Sequence, residues 1–289
     1  MDAKPVISDE MPGWRRPITP SRDRAQSTIL TWVVGALLLL GALAPPLGAL
    51  RFSLPLWPML GPLLVSAAFA GLVLLLRAAT PAAAAMGFLV CFILAQSPAA
   101  WSHYGLEMAE HWLLPALIVL FALTFAATRY GRTRKEARGL SESRRGRSAS
   151  QIIANLGVAG LFAAAGRYEG CVAALAEAAA DTVSSEIGQA LGHPARLVTT
   201  GRAVAAGTDG GVTLAGTAAG MIAAAIVVAV GSAHHSLWPT QGVTWIAAAA
   251  GLYFDSLLGA TVERRGWLGN DLVNFASTLF AALIASSLH

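Results

Sequence analysis

The chain has 289 residues, of which 55% are hydrophobic and only 12% charged, with a net charge of +4 and a mean hydropathy of +0.60. Soluble domains carry about 25% charged residues, so this composition excludes an ordinary soluble domain and indicates an all-α, polytopic membrane helix bundle. The basic surplus reads as Lys and Arg in loops on one side of a membrane, not as a nucleic-acid-binding face.

Met1–Gln26 is polar and proline-bearing and has no apolar signal core, so residues 1–27 read as a disordered cytoplasmic tail. Apolar runs then predict about nine membrane helices, at roughly 28–49, 58–76, 81–98, 111–128, 150–166, 171–190, 211–232, 242–261 and 271–288. Pro45–Pro46 interrupts the first and leaves its end open. Four helices over 28–128 make an N-terminal membrane region almost free of ionisable residues, with Glu107 and Glu110 in an outside loop. A basic, Ser/Gly-rich linker over 129–149 reads as a solvated loop touching anionic headgroups. Five helices over 150–289 form a second region, rich in polar residues, where the chemistry is expected. Cys91 and Cys171 read as small buried apolar residues, and His234–His235 as an outside surface pair.

Placing the N-terminus inside puts all but Arg51 and Arg167 of the 20 Lys and Arg on the inner side. The rule that basic loops stay inside then sets N-terminus in and C-terminus out. The localisation expected is a bacterial-type inner (plasma) membrane.

In that topology four segments deliver carboxylates to the cytoplasmic end: Asp181 and Glu186, Asp209, Asp255, and Asp271. Ionisable groups at membrane depth are costly and mark function more often than packing. The competing structural reading pairs them with Arg196, Arg202, Arg264 and Arg265. Asp181, Ser184 and Ser185 share a helix face, as do Asn270, Asp271 and Asn274 on the last helix, with Gln151 and Asn155 repeating the device on the fifth. Such hard oxygen donors suit Mg²⁺ and not zinc, with Asp181, Glu186, Asp255, Asn270, Asp271 and Asn274 as the candidate ligands.

The stretch "TTGRAVAAGTDGGVTLAGT", Thr199–Thr217, reads as a polar loop opening the seventh helix. Thr208, Gly210 and Gly211 would hold an anion at that helix start, with Arg202, Arg196, Thr200 and Asn155 as further contacts and Asp209 as metal ligand or cap. Carboxylates, Mg²⁺, a helix start and arginines together describe a site for phosphoryl or nucleotidyl transfer, with Asp181, Asp255, Asp209 and Arg202 as its catalytic set. Gly216 and Gly220 form a small-xxx-small pair that serves internal packing or association equally, so oligomeric state stays open.

The ordered blocks "ADTVSSEIG", "RLVTTGRAVAAGTDGGVTLAGT", "FDSLLGAT" and "NDLVNF", with the preceding basic linker, resemble an integral membrane family long of unknown function. That family includes the plant phytyl-phosphate kinase and animal transmembrane relatives, and the resemblance covers roughly 125–288. A second, looser pattern is similar to CTP-using membrane enzymes: dolichol kinase, phytol kinase and phosphatidate cytidylyltransferase. The resemblances imply a membrane-lipid substrate of the isoprenoid monophosphate type, CTP as co-substrate, Mg²⁺, and Asp181 and Asp255 as the metal-binding aspartates. Two rival functions remain alongside a kinase: a lipid-phosphate cytidylyltransferase, and a transporter or lipid translocase.

Overall fold

The computed structural model describes residues 18–102, 113–140, 146–191, 194–233 and 239–288. Glu107, Glu110, His234, His235 and residues 1–17 of the tail lie outside the described residues. A helix stands at each of the nine expected segments. They are α1 (Pro20–Arg51), α2 (Leu60–Leu75, entered through a 3-10 turn at Trp57–Met59), α3 (Pro81–Ser102), α4 (Leu113–Arg129), α6 (Ala149–Ala164), α7 (Tyr168–Leu191), α8 (Leu214–Gly231), α9 (Thr240–Leu258) and α10 (Asn270–Ser287). A further short helix, α5 (Arg132–Ala137), forms inside the basic linker. Among the described residues, α1, α2 with its entry turn, α8, and α9 with its extension are long and apolar enough to cross a membrane, while Pro81–Gln96 of α3, α4 and α6 are shorter apolar stretches.

α7 is the axis of the bundle. It packs against α4, α6, α8, α9 and α10, and its Ala-rich first half, Cys171–Ala180, is buried throughout. Small side chains let neighbours approach closely, which replaces the missing hydrophobic driving force in lipid. Gly216 and Gly220 show this on α8: a Cβ on Gly216 would lie 2.5 Å from the Ser184 carbonyl oxygen, and one on Gly220 would lie 2.6 Å from that of Ala180. The small-xxx-small pair therefore packs internally. Larger apolar residues point outward, among them Trp32, Leu64, Leu75, Leu214 and Ile222, as a lipid-facing surface requires.

Two local expectations change. α1 begins at Pro20 and not near 28, because proline suits the first turn of a helix and Asp23 complements its dipole. Its first turns are also tied to the start of α10: Gln26 Nε2 donates to the Trp267 carbonyl (2.9 Å) and Gln26 Oε1 accepts from Gly269 N–H (2.8 Å). α1 also runs through Pro45–Pro46 to Arg51. Proline 46 cannot donate to the Ala42 carbonyl, and Gln96 Nε2 of α3 supplies the donor at 3.3 Å.

The Thr199–Thr217 stretch does not open a helix at Gly211. β1 (Ala195–Leu197) pairs antiparallel with β2 (Ala203–Val204) and with β3 (Gly211–Val212), in spatial order β2-β1-β3. Gly207 and Gly210 have φ of +81° and +70°, which breaks any helix and folds 205–210 into a tight loop. α8 starts after it, capped by Thr213, whose hydroxyl accepts from Gly216 N–H at 3.1 Å.

Candidate functional site

A polar cavity opens at one end of the bundle and holds about 1360 Å³ of empty space, mouth included. Seven segments line it: the linker at Leu140 and Arg147, α6 at Gln151 and Asn155, α7 from Asp181 to Gln189, β1 at Ala195, the 206–213 loop, α9 with its extension, and α10 at Asn270 and Asn274. Among the described residues, Asp181, Glu186, Asp209, Asp255 and Glu263 give it five acidic side chains against the single cation Arg147.

The helices explain the placement. Asp181, Ser184 and Ser185 all reach the cavity from α7, as their i, i+3, i+4 spacing requires. Asn270 and Asn274, one turn apart, face it from α10. Asp255 enters from α9, and its Oδ2 accepts from Ser277 of α10 at 3.2 Å. Beyond Leu258 the α9 helix widens into a π-helical turn, Gly259–Glu263, a feature that frequently marks functional sites. That turn swings Glu263 into the same space. Asp181, Asp255 and Glu263 lie within electrostatic reach of one another, and Asp209 lies within reach of Glu263. The 205–210 loop is held over them by contact: a Cβ on Gly210 would lie 2.3 Å from Ala260 N.

Several expected site residues stand elsewhere. Thr208, Gly210 and Gly211 line the cavity, but from a loop and β3 and not from a helix start. Arg196, Thr200 and Arg202 are exposed on β1 and the β1–β2 hairpin and line no part of the cavity. Arg196 Nη1 donates to the Gly201 carbonyl at 2.8 Å, so its strand direction and this bond turn it away. Asp271 is one residue from Asn270, so the helical twist carries it off the cavity face, and its Oδ2 accepts from Ser27 of α1 at 2.7 Å. Glu186 touches the cavity edge but is ion-paired with buried Lys135 of α5. Lys135 Nζ also donates to the Thr128 carbonyl at 2.9 Å and the Ala127 carbonyl at 3.3 Å, satisfying the C-terminal end of α4. Glu186 therefore anchors the linker.

Two lining residues escaped the sequence reading. Arg147 was assigned with its linker neighbours to a solvated loop. Its backbone instead pairs with the α2–α3 turn, Arg147 N–H to the Ala78 carbonyl and Thr80 N–H to the Arg147 carbonyl, both at 3.0 Å. Glu263 was passed over as a residue beyond the helix end; its position two turns after Asp255 is the signal that could have found it.

The donor set facing the cavity is all oxygen: carboxylates of Asp181, Asp255, Asp209 and Glu263, amides of Asn270 and Asn274, and hydroxyls of Ser184 and Ser185. Among the described residues no His or Cys lines it. Among the described residues, no three His, Cys, Asp or Glu side chains form a ready metal cage. That pattern fits Mg²⁺, which is commonly bound by one or two carboxylates together with substrate phosphates.

Fold and cavity define an integral membrane protein with an acid-rich cavity at one end of its helix bundle. The chain belongs to the family described as Integral membrane protein DUF92, whose model matches residues 64–282, reaching well into the first four helices. It is 31% identical over 202 residues to "Protein VTE6, chloroplastic" of Arabidopsis thaliana, a match covering 64% of this chain and 59% of the plant protein. It thus spans under two thirds of that relative's length. It is also 32% identical over 177 residues to the uncharacterized membrane protein MJ0933 of Methanocaldococcus jannaschii, covering 58% and 72% of the two chains. To the uncharacterized membrane protein sll0875 of a Synechocystis species it is 34% identical over 185 residues, covering 58% and 71%. No solved structure matches the chain.

Proposed function

We propose that this protein is a membrane kinase that transfers the terminal phosphoryl group of a nucleoside triphosphate to an isoprenoid monophosphate, making the diphosphate. The observation that carries the reading is the cavity itself, in which Asp181, Asp255 and Glu263 converge beneath a glycine-rich loop, with Arg147 also lining it. The substrate class follows from the family resemblance and the similarity to the plant protein. CTP is the favoured donor because of the looser likeness to CTP-using membrane kinases.

The chemistry needs little from acids and bases. An oxygen of the acceptor phosphate attacks the γ-phosphorus, a new P–O–P bridge forms, and the bond from the γ-phosphorus to the bridging oxygen breaks. The products are prenyl diphosphate and nucleoside diphosphate. A phosphate monoester is ionised near neutral pH, so no proton must be removed from the nucleophile. Among the described residues the cavity is lined by no His or Lys, which is consistent with that. Positioning and charge neutralisation then dominate catalysis.

Mg²⁺ held by Asp181 and Asp255, with Glu263, Asn270 and Asn274 beside them, would neutralise the donor phosphates. Thr208 N–H and Gly211 N–H already bond the Ala205 and Thr208 carbonyls, so in this reading the loop would offer phosphate oxygens the Gly210 N–H. Arg147 is placed to steady the transferred group. In this reading the cavity faces the cytoplasm of a bacterial-type inner membrane, where nucleotide is available.

Purified protein in detergent, with Mg²⁺, CTP or ATP and a panel of prenyl monophosphates, should release nucleoside diphosphate and prenyl diphosphate with no membrane gradient. Failure of every donor–acceptor pair with folded protein would sink the proposal. Release of pyrophosphate would turn it into a cytidylyltransferase.

A further inference from the structure

We propose that the isoprenoid monophosphate binds in a second cavity, between α2, α3, α4, α6 and α7, with its chain among apolar side chains and its phosphate on Arg77, Arg129 and Arg147. The occupant's chemical class rests on the kinase reading above; the place does not. This cavity holds about 1160 Å³ of empty space, mouth included. Its walls include Phe69, Val73, Leu117, Leu120, Phe121 and Ile152. Its rim carries Arg77, Arg129, Arg132 and Arg147, and among the described residues no acidic side chain lines it. An apolar barrel under a ring of guanidinium groups complements a ligand with a long hydrocarbon chain and one anionic head. Arg132 is paired with Glu136 at 3.0 Å, and we assign the phosphate to Arg77, Arg129 and Arg147, the last also within electrostatic reach of Asp181.

The two cavities share a wall. Arg147, Asn155 and Thr182 line both, and Arg147 Nη2 lies 3.5 Å from Thr182 Oγ1. The arginine rim therefore lies alongside the acid-rich cavity, and transfer would need the acceptor phosphate to reach past these shared side chains into contact with the γ-phosphorus.

The backbone delivers these arginines deliberately. Ala78 N–H donates to the Val73 carbonyl (2.9 Å) and Arg77 N–H to the Leu74 carbonyl (3.0 Å), closing the C-terminus of α2. This motif normally has glycine at the left-handed position, yet Arg77 occupies it with φ of +54°. A side chain is kept where the backbone alone would favour none. Gly146, at φ of +78°, packs on the Ala78–Ala79 peptide and sets Arg147 beside the same turn. Arg129 Nη2 bonds the Leu76 carbonyl at 3.3 Å, and its guanidinium lies over the Phe125 ring, 4.3 Å from the centroid. One rim thus gathers all three.

A groove between α1, α3, α6 and α10 also reaches the acid-rich cavity, through Gln151 and Asn270. It sets Asp23 and Asp271 beside Arg24, carboxylates that repel a phosphate.

The test uses the full chain in detergent, without nucleotide, and a benzophenone-bearing geranylgeranyl monophosphate as probe. Crosslinks should map to α2, α3 and α4 and be competed by geranylgeranyl monophosphate but not by geranylgeraniol. Arg77→Gly and Arg129→Gln should each weaken probe binding by about tenfold. Arg77→Gly should not lower the melting temperature, since glycine suits that backbone, so lost binding there is not lost folding. A Cβ on Gly87, which lines the cavity, meets nothing within 4 Å. Gly87→Phe should therefore exclude the geranylgeranyl chain while geranyl monophosphate still binds. Crosslinks at the α1 groove, unchanged binding in both arginine variants, or no binding by folded wild-type protein would overturn the assignment. Specific binding at the arginine rim with no nucleotide-dependent product would overturn the kinase reading and leave this site standing.

Discussion

Asp181 and Asp255 are the residues on which the proposed metal site rests. Each projects from a different helix into one acid-rich space, and both retain cavity access although α7 is otherwise buried for most of its length. Asp181→Asn and Asp255→Asn keep the shape and remove the charge. Each should cut turnover by about 100-fold or more, read as prenyl diphosphate formed by folded protein. Arg196→Gln and Arg202→Gln, outside the cavity, should stay within about threefold of wild type. A large loss in either would contradict the placement of the β1–β2 hairpin. At this scale the sequence was legible where helical spacing governs: Asp181 with Ser184 and Ser185, and Asn270 with Asn274. It misled where a side chain's direction depends on a partner far along the chain. Asp271 turns to Ser27, and Glu186 to Lys135; no local pattern announces either pairing.

Among the elements, the linker and the glycine loop do work that composition hides. α5 was read as part of a solvated basic run, yet Lys135 is buried and bonds the end of α4 and Glu186 of α7. Lys135→Ala would leave the Glu186 carboxylate buried without its partner, at a cost of about 3–5 kcal/mol. The double substitution Lys135→Met with Glu186→Leu should recover most of that loss, since it removes both charges. Thermal unfolding in detergent distinguishes the two, and equal melting temperatures for single and double variants would contradict the pair. The 205–210 loop is equally constrained. Gly210→Ala puts a methyl against Ala260 N at a φ of +70° and should shift the loop off the carboxylates. KM for the nucleotide should then rise by at least about tenfold while KM for the prenyl monophosphate changes little. Parallel rises in both would mean that the loop serves the whole bundle and not the donor side. Glycines at 207, 210 and 211 signalled a loop of special backbone, but pairing with Ala195–Leu197 joins residues too far apart for periodicity to reveal.

Across the whole molecule, nine apolar segments were readable because lipid demands long runs of one chemistry, and the family blocks were readable because their order is fixed. What was not readable is the lateral relation of the two halves. α2, α3 and α4 carry no motif, yet with α6 and α7 they enclose the arginine-rimmed cavity that abuts the acid-rich one. In the proposed reading that juxtaposition would give the bundle two substrate sides, with the nucleotide at the acid-rich cavity and the lipid phosphate at the arginine-rimmed one. Chelation of divalent metal by EDTA should abolish turnover and added Mg²⁺ should restore it, whereas geranylgeranyl monophosphate binding without nucleotide should survive the chelator. The central claim is phosphoryl transfer at the carboxylate cavity, and two labelled nucleotides test it most directly. With γ-labelled CTP, or ATP if that is the donor, wild-type protein should move label into prenyl diphosphate, and Asp255→Asn should not. With α-labelled nucleotide no label should enter the lipid. Label from the α-position in the lipid product, or no transfer from the γ-position to any prenyl monophosphate, would contradict the account.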